Sequence, residues 1–440
     1  MNTRKEWQRQ RLRKKYGKFF GGFIALGILL GLAAVTGIVL FILHLNSLRA
    51  KSGDQADGIQ AAAQTAENEA EPEKEPEEKP EAVSTPKPTP TPAPTPEPEP
   101  EGFRFEKWKA EHTKVKGIYV TGPVAGSDRM RDMVELIDAT ELNAMVIDIK
   151  NDAGEITFKM PEDKMPAAIG SCVRYIRDMD ALMADLKSHE IYTIARIVCF
   201  KDPLLAAARP DLALRETNGK AIVDANNLAW VNPCSEEVWA YLTDIAIYCA
   251  ELGFDEVQFD YVRFPVGKGT ENADYGVVVT PENKHEYISK FLKYAADRLH
   301  EKEIPITADL FGTVIGNPTD VQNVGQDYAE LASTVDVLCP MIYPSHYGKG
   351  VFGLEVPDAK PYETIVGALG RSVESLSAVD EKERAVVRPW LQAFTAPWVD
   401  GYISYGIDEI RKQIQGVYDA GYDEWILWNA KNNYSMLKEE

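Results

Sequence analysis

Residues 235–265 read SEEVWAYLTDIAIYCAELGFDEVQFDYVRFP, and this stretch contains a helix, its stop signal and a strand in succession. Ser235 before Glu236 and Glu237 reads as an N-cap with an acidic first turn, which suits the positive end of the helix dipole. Gly253 stands where a C-cap glycine belongs. A short run at 256–261 follows, in which alternation puts Gln258 and Asp260 on one side and Phe259 and Tyr261 on the other. The same order recurs along the chain. Strands are expected at 117–121, 144–149, 192–198, 256–261, 305–310, 335–342, 387–392 and 424–428. Helices are expected between them at 128–140, 171–188, 235–252, 281–302, 327–333, 362–378 and 408–420, with Thr280 before Pro281 as a second N-cap and Gly421 as a second C-cap.

Alternating β and α segments mean a parallel sheet. An open doubly wound sheet that binds a dinucleotide wants a Gly-x-Gly-x-x-Gly first turn, whereas Gly117 and Gly122 are spaced Gly-x-x-x-x-Gly. The expected fold is therefore a closed (β/α)8 TIM barrel. Residues 102–440 are long enough for one, since such barrels typically take about 250 residues before insertions.

Composition divides the rest of the chain. Residues 1–18 hold Arg4, Lys5, Arg9, Arg11, Arg13, Lys14, Lys15 and Lys18 against Glu6 alone, and residues 19–43 carry no charge. At 1.5 Å per residue that apolar run spans a hydrocarbon core of about 30 Å. The basic head keeps the N-terminus cytoplasmic and sends the remainder outside. A cleaved signal peptide is the alternative, but no A-x-A follows the run. Residues 44–101 are expected to form a disordered linker rich in Glu and Pro, with X-Pro repeated from Thr85 to Pro100. As polyproline II, at about 3.1 Å per residue, that repeat reaches roughly 50 Å.

The formal net charge is −20 despite the basic head. An acidic domain gains nothing from counterion release on a phosphate backbone, so nucleic acid is not an expected partner. Cys172, Cys199, Cys234, Cys249 and Cys339 form no C-x-x-C pair and no Cys/His ligand spacing, so neither a disulfide framework nor a metal is expected. A bridge from Cys172 or Cys234 stays open. No cofactor fingerprint is present, and nothing in the sequence fixes an oligomeric state.

Barrel chemistry sits where strands end. Asp260 is the leading candidate there, an inward acid in an apolar strand, with Arg263 just beyond it able to hold a carboxylate ionised or to make a purely structural pair. Glycoside hydrolysis needs a second carboxyl group. Asp309 tops the next strand, and a strand spacing of about 4.8 Å brings the pair near the roughly 5 to 5.5 Å of retaining enzymes. Asp148 is the rival across the mouth, at inverting distance or tied to Lys150 as an ion pair. Lys150, Arg196, Gln258, Arg263, Tyr343, His346, Gln392 and Trp428 are the candidate substrate-binding residues. Tyr261, Phe311, Tyr347 and Trp398 add flat faces suited to sugar rings, or are packing residues. A Ser-His-Asp triad lacks its G-x-S-x-G setting.

At Gly117-Ile118-Tyr119-Val120-Thr121, Val146-Ile147-Asp148-Ile149-Lys150, residues 253–265 and Pro340-Met341-Ile342-Tyr343-Pro344-Ser345-His346-Tyr347, the chain resembles the putative glycosyl hydrolase domain family of bacterial surface proteins. The resemblance covers about 116–429 and implies a (β/α)8 barrel and glycosidase-like chemistry. The strand at 255–262 also looks like the D-G-x-D-x-D-x-E strand of chitinase-type family 18 glycosidases, with Gln258 at the second Asp and Val262 at the catalytic Glu. That departure excludes the family 18 mechanism, and Asp260 as nucleophile looks more like the α-amylase arrangement. The expected activity is hydrolysis of a poly- or oligosaccharide of or near the cell envelope. The alternatives are a carbohydrate-binding barrel without turnover and a structural envelope protein.

Overall fold

The computed structural model describes residues 102–438. The basic head, the apolar run at 19–43 and the linker at 44–101 lie outside the described residues. Among the described residues no helix is long and apolar enough to cross a membrane.

Eight parallel strands close into a barrel. β1 (Lys116–Val120), β2 (Ala144–Lys150), β3 (Tyr192–Val198), β4 (Glu256–Asp260), β5 (Ile306–Phe311) and β6 (Val337–Met341) pair in chain order. β7 comes in two pieces, Val386–Val387 and Trp390–Gln392, and β8 (Trp425–Trp428) pairs with both β7 and β1. Trp390 lies opposite Met341 on one side and Ile426 on the other, which closes the ring. The break in β7 falls at Arg388-Pro389, because proline has no N–H for the ladder. All eight expected strands are present, displaced by at most two residues.

The helices that answer to the seven expected ones are α1 (Arg129–Asp138), α2 (Met179–Ser188), α3 (Glu236–Glu251), α4 (Lys284–His300), α5 (Tyr328–Leu331), α6 (Pro361–Leu376) and α7 (Ile407–Asp419). The Ser235 side chain accepts from the Val238 amide, and Gly253 takes φ 91°, so both signals around α3 act as expected. Two starts differ. α2 begins eight residues late because the Asp178 carboxylate accepts from the Ala181 amide, while the residues before it line up beside Ile156 through Ile156–Ser171 and Val173–Ile156 backbone bonds. α4 begins after Asn283, whose side chain accepts from the Thr280 amide, so Thr280 closes a turn and does not cap the helix. All five cysteines are free thiols.

Alternation sorts the strands' side chains into two cores. Ile118, Met145, Ile147, Ala195, Ile197 and Phe259 pack outward under the helices. Tyr119, Ala144, Val146, Ile194, Cys339, Trp390 and Ile426 fill the barrel. Charge collects at the two ends of that inner core. At the end where strands begin, Arg388 pairs with Glu256 at 2.7 Å and Glu424 at 2.8 Å, and His112 Nε2 lies 2.6 Å from Glu424. A helix absent from the sequence expectations, Phe105–Glu111, packs Trp108 against this end and stacks it on His112 at 4.5 Å.

Candidate active site

At the end where strands finish, Asp148, Arg196, Asp260 and Asp309 occur on four consecutive strands, β2 to β5. Arg196 joins the first three. Its Nη1 donates to Asp148, and its Nε and Nη2 both donate to Asp260 Oδ2, the former at 3.0 Å. The Tyr119 hydroxyl donates to the other Asp148 oxygen. Burial raises the pKa of Asp148, and Arg196 opposes that shift. Arg196 itself sits between the rings of Tyr119 and Trp428, at 5.5 Å from each centroid.

Asp309 is different. β4 and β5 pair through Phe259 and Ala308, so the register continues with Asp260 beside Asp309. Asp309 is 1 % exposed, and its Oδ1 accepts from Trp390 Nε1 at 2.6 Å. Its Oδ2 has no hydrogen-bond partner. Burial, reinforced by the charge of Asp260, pushes its carboxyl well above the usual carboxylate range, while Arg196 and the Trp390 bond pull the other way. Such surroundings favour the protonated form of the acid.

Asp260 and Asp309 open onto a cavity of about 420 Å³, within the size range of ligand sites. Its walls include Arg196, Arg263, Phe311, Tyr343, Tyr347, Trp390, Phe394 and Trp428. The turn out of β4 is strained. Tyr261 follows Asp260 with φ 49°, a left-handed conformation costly for a bulky residue, and its amide donates to Asp260 Oδ1. Gln326 clasps the neighbouring strand ends by donating to the Asp309 and Val262 carbonyls and accepting from the Phe311 amide.

The structure brings Arg196, Asp260, Arg263, Asp309, Tyr343, His346 and Trp428 together at the cavity. It sets four of the candidates apart. Asp148 lies behind Arg196 and does not line the cavity. Lys150 is fully buried, 2.9 Å from Asp202 and donating to the Val198 carbonyl, so the expected pairing with Asp148 is absent. The cause is a bulge between Asp148 and Lys150 that shifts the register. Gln258 lies in the barrel one layer below Asp260. Gln392 links two loops, donating to Asp358 and accepting from the Ser345 amide. Arg263 is not the partner of Asp260, which is Arg196. His346 stands on the rim, with its pKa lowered by desolvation. Among the described residues no three His, Cys, Asp or Glu side chains converge to hold a metal ion.

Trp390, Tyr119, Trp230 and Gln326 escaped the sequence reading. Trp390 shares strand parity with Gln392, so its inward aim was legible. Gln326 was not, because its partners are backbone groups 15 to 64 residues away.

A family model described as "Putative glycosyl hydrolase domain" matches residues 117–434. No protein with a curated description matches. Among solved structures, a hypothetical protein from Ruminiclostridium thermocellum is 36 % identical over 44 % of this chain and 96 % of its own, with a TM-score of 0.39. The PgaB (BpsB) glycoside hydrolase domain from Bordetella bronchiseptica is 11 % identical over 74 % of this chain and 98 % of its own, with a TM-score of 0.54, a likeness of fold alone. The spore cortex-lytic enzyme SleL of Bacillus megaterium is 11 % identical over 74 % of this chain and 73 % of its own, with a TM-score of 0.44. With most of the barrel spanned by that one family model, the chain belongs to the glycosyl hydrolase domain family it describes.

Proposed function

We propose that this protein is a glycoside hydrolase, tethered to a membrane by residues 19–43 with its barrel outside the cell, that cuts a poly- or oligosaccharide of or near the envelope. The placing of Asp309, a buried acid whose carboxyl is pushed up, beside Asp260 at one cavity carries the catalytic reading. Asp260 is held by Arg196 and Asp309 is not, so the two carboxyl groups sit in unlike surroundings, as the division of roles in two-carboxylate glycosidases requires. Asp309 gives its proton to the glycosidic oxygen while Asp260 attacks the anomeric carbon. Asp309, now ionised, then takes a proton from the water that releases the sugar from Asp260. Side-by-side strands about 4.8 Å apart favour this retaining course. The basic residues at 1–18, the uncharged run at 19–43 and the linker at 44–101 support the tether and its orientation, with 102–440 as the catalytic domain.

The test is hydrolysis of envelope glycans by the full-length protein, beside Asp260→Asn and Asp309→Asn, with protease accessibility on intact cells for the orientation. Turnover that survives Asp260→Asn overturns the mechanism. A second reading, a carbohydrate-binding barrel without turnover, is favoured by one observation: both oxygens of Asp260 already accept hydrogen bonds. Binding without hydrolysis in the parent protein would select it.

A further inference from the structure

Three arginines are buried among the described residues, and they differ in what they face. Arg196 lies between Asp148 and Asp260, and Arg388 between Glu256 and Glu424. Arg263 is 8 % exposed, lines the cavity, and has no carboxylate at ion-pair distance among the described residues. Its guanidinium carbon is 4.6 Å from the Phe311 ring centroid, 4.9 Å from Trp230 and 5.4 Å from Tyr261. One hydrogen bond, from Nη1 to the Phe264 carbonyl at 2.9 Å, uses one of the five N–H donors of a guanidinium. Burial lowers its pKa, and only longer-range attraction from Tyr261, Asp260 and Asp224 opposes that. A buried cation is costly unless it is paired and hydrogen-bonded. The rings hold the guanidinium without using its N–H groups, which leaves donors for an acceptor with two oxygens.

We infer that Arg263 binds an acidic group of the substrate, so that the glycan taken by this cavity is anionic, with a carboxylate or phosphate ester on a sugar next to the Asp260–Asp309 pair. The inference rests on the carbohydrate reading above and names its substrate class. A neutral sugar hydroxyl would fill donors but not match the charge. Arg196 offers no such service, because its two carboxylates already occupy it. Position fits the role as well: Arg263 is on the loop that leaves β4, three residues past Asp260.

The experiment measures binding to the full-length protein through its cavity tryptophans, Trp390 and Trp428. The probes are a trigalacturonate, the same trisaccharide with its carboxyls reduced to alcohols, glucose 6-phosphate and glucose. The acidic member of at least one pair should bind tenfold or more tightly than its neutral partner, and which pair shows the preference separates carboxylate from phosphate. Arg263→Gln should weaken the acidic probe at least tenfold more than its neutral partner and so erase that ratio, and Arg263→Lys should keep part of it, since it retains charge without the fork. Equal affinity for acidic and neutral probes in the parent overturns the inference and leaves the carbohydrate reading standing. Binding of no sugar in a broad panel removes both. Unfolding of ligand-free Arg263→Met guards against a purely structural role: an unchanged or higher midpoint supports the inference, and a large drop overturns it.

Discussion

The barrel carries the same device at both ends, an arginine between two carboxylates, and the two ends put it to different use. At the lower end Arg388, Glu256 and Glu424 are fully buried, covered by Trp108 and His112, and every carboxylate there faces a cation. Burial alone would raise Glu424, but the Arg388 charge and the His112 hydrogen bond outweigh it and bring its carboxyl from an ordinary 4.5 down to about 2. At the upper end Arg196 holds Asp148 and Asp260, yet a third acid, Asp309, is left beside them without a cation and opens onto the cavity. With Lys114 also 3.7 Å from Glu424, two carboxylates at the lower end meet two cations, and such a balanced cluster stabilises the fold. An unbalanced one raises the hold of Asp309 on its proton.

The largest expected effect is at the upper end. Asp309→Asn should reduce turnover by about 10²- to 10⁴-fold, the range for loss of a general acid. It should not lower the unfolding midpoint at pH 7. A carboxyl whose folded pKa is raised favours the fold only below its unfolded pKa, and that contribution is lost as pH rises through the folded value, so a permanently neutral amide avoids the loss. A destabilised Asp309→Asn would erase the contrast between the ends. Next comes Arg388→Met, which leaves Glu256 and Glu424 buried without their cation and should cost about 3 to 5 kcal/mol in denaturant unfolding.

The acid limb sharpens the same contrast. Glu424 has a depressed folded pKa, so its stabilisation is complete above about 4.5 and is lost as pH falls toward 2. Glu424→Gln should flatten the stability profile across that window, as read by thermal unfolding at successive pH values. An unchanged slope would mean that other carboxylates govern acid unfolding. The smallest effect is expected from Trp390→Phe. Losing the Nε1 donor removes a contact that lowers the Asp309 pKa, so the alkaline limb of the pH–rate profile should move up, by about one unit or less.

The fold was readable because its signals are local. Ser235, Gly253 and the alternation Gln258, Asp260 lie within one βα unit, and eight such units need only close. Inward aim is equally local, which is why the sequence alone places Asp260 and Asp309 side by side. What escaped depends on contacts distant in sequence. The bulge after Asp148 turns Lys150 toward Asp202, 52 residues on, and alternation without the bulge sends it the other way. For Arg196 the strand pattern shows the direction, toward the cavity, and not which carboxylates wait there. Arg263, placed near Asp260 by sequence proximity, is held by Trp230 and Phe311 from other loops.

Trp390 joins two loads that genetics can separate. Its main chain seals the barrel between Met341 and Ile426, a task almost any non-proline residue performs, while its indole alone reaches Asp309. In a saturation library at position 390, selection for soluble folded protein should therefore tolerate other large apolar residues. Selection for growth on the substrate should admit few of them, and the gap between the two tolerated sets would report how much of this tryptophan is retained for the seam and how much for the proton.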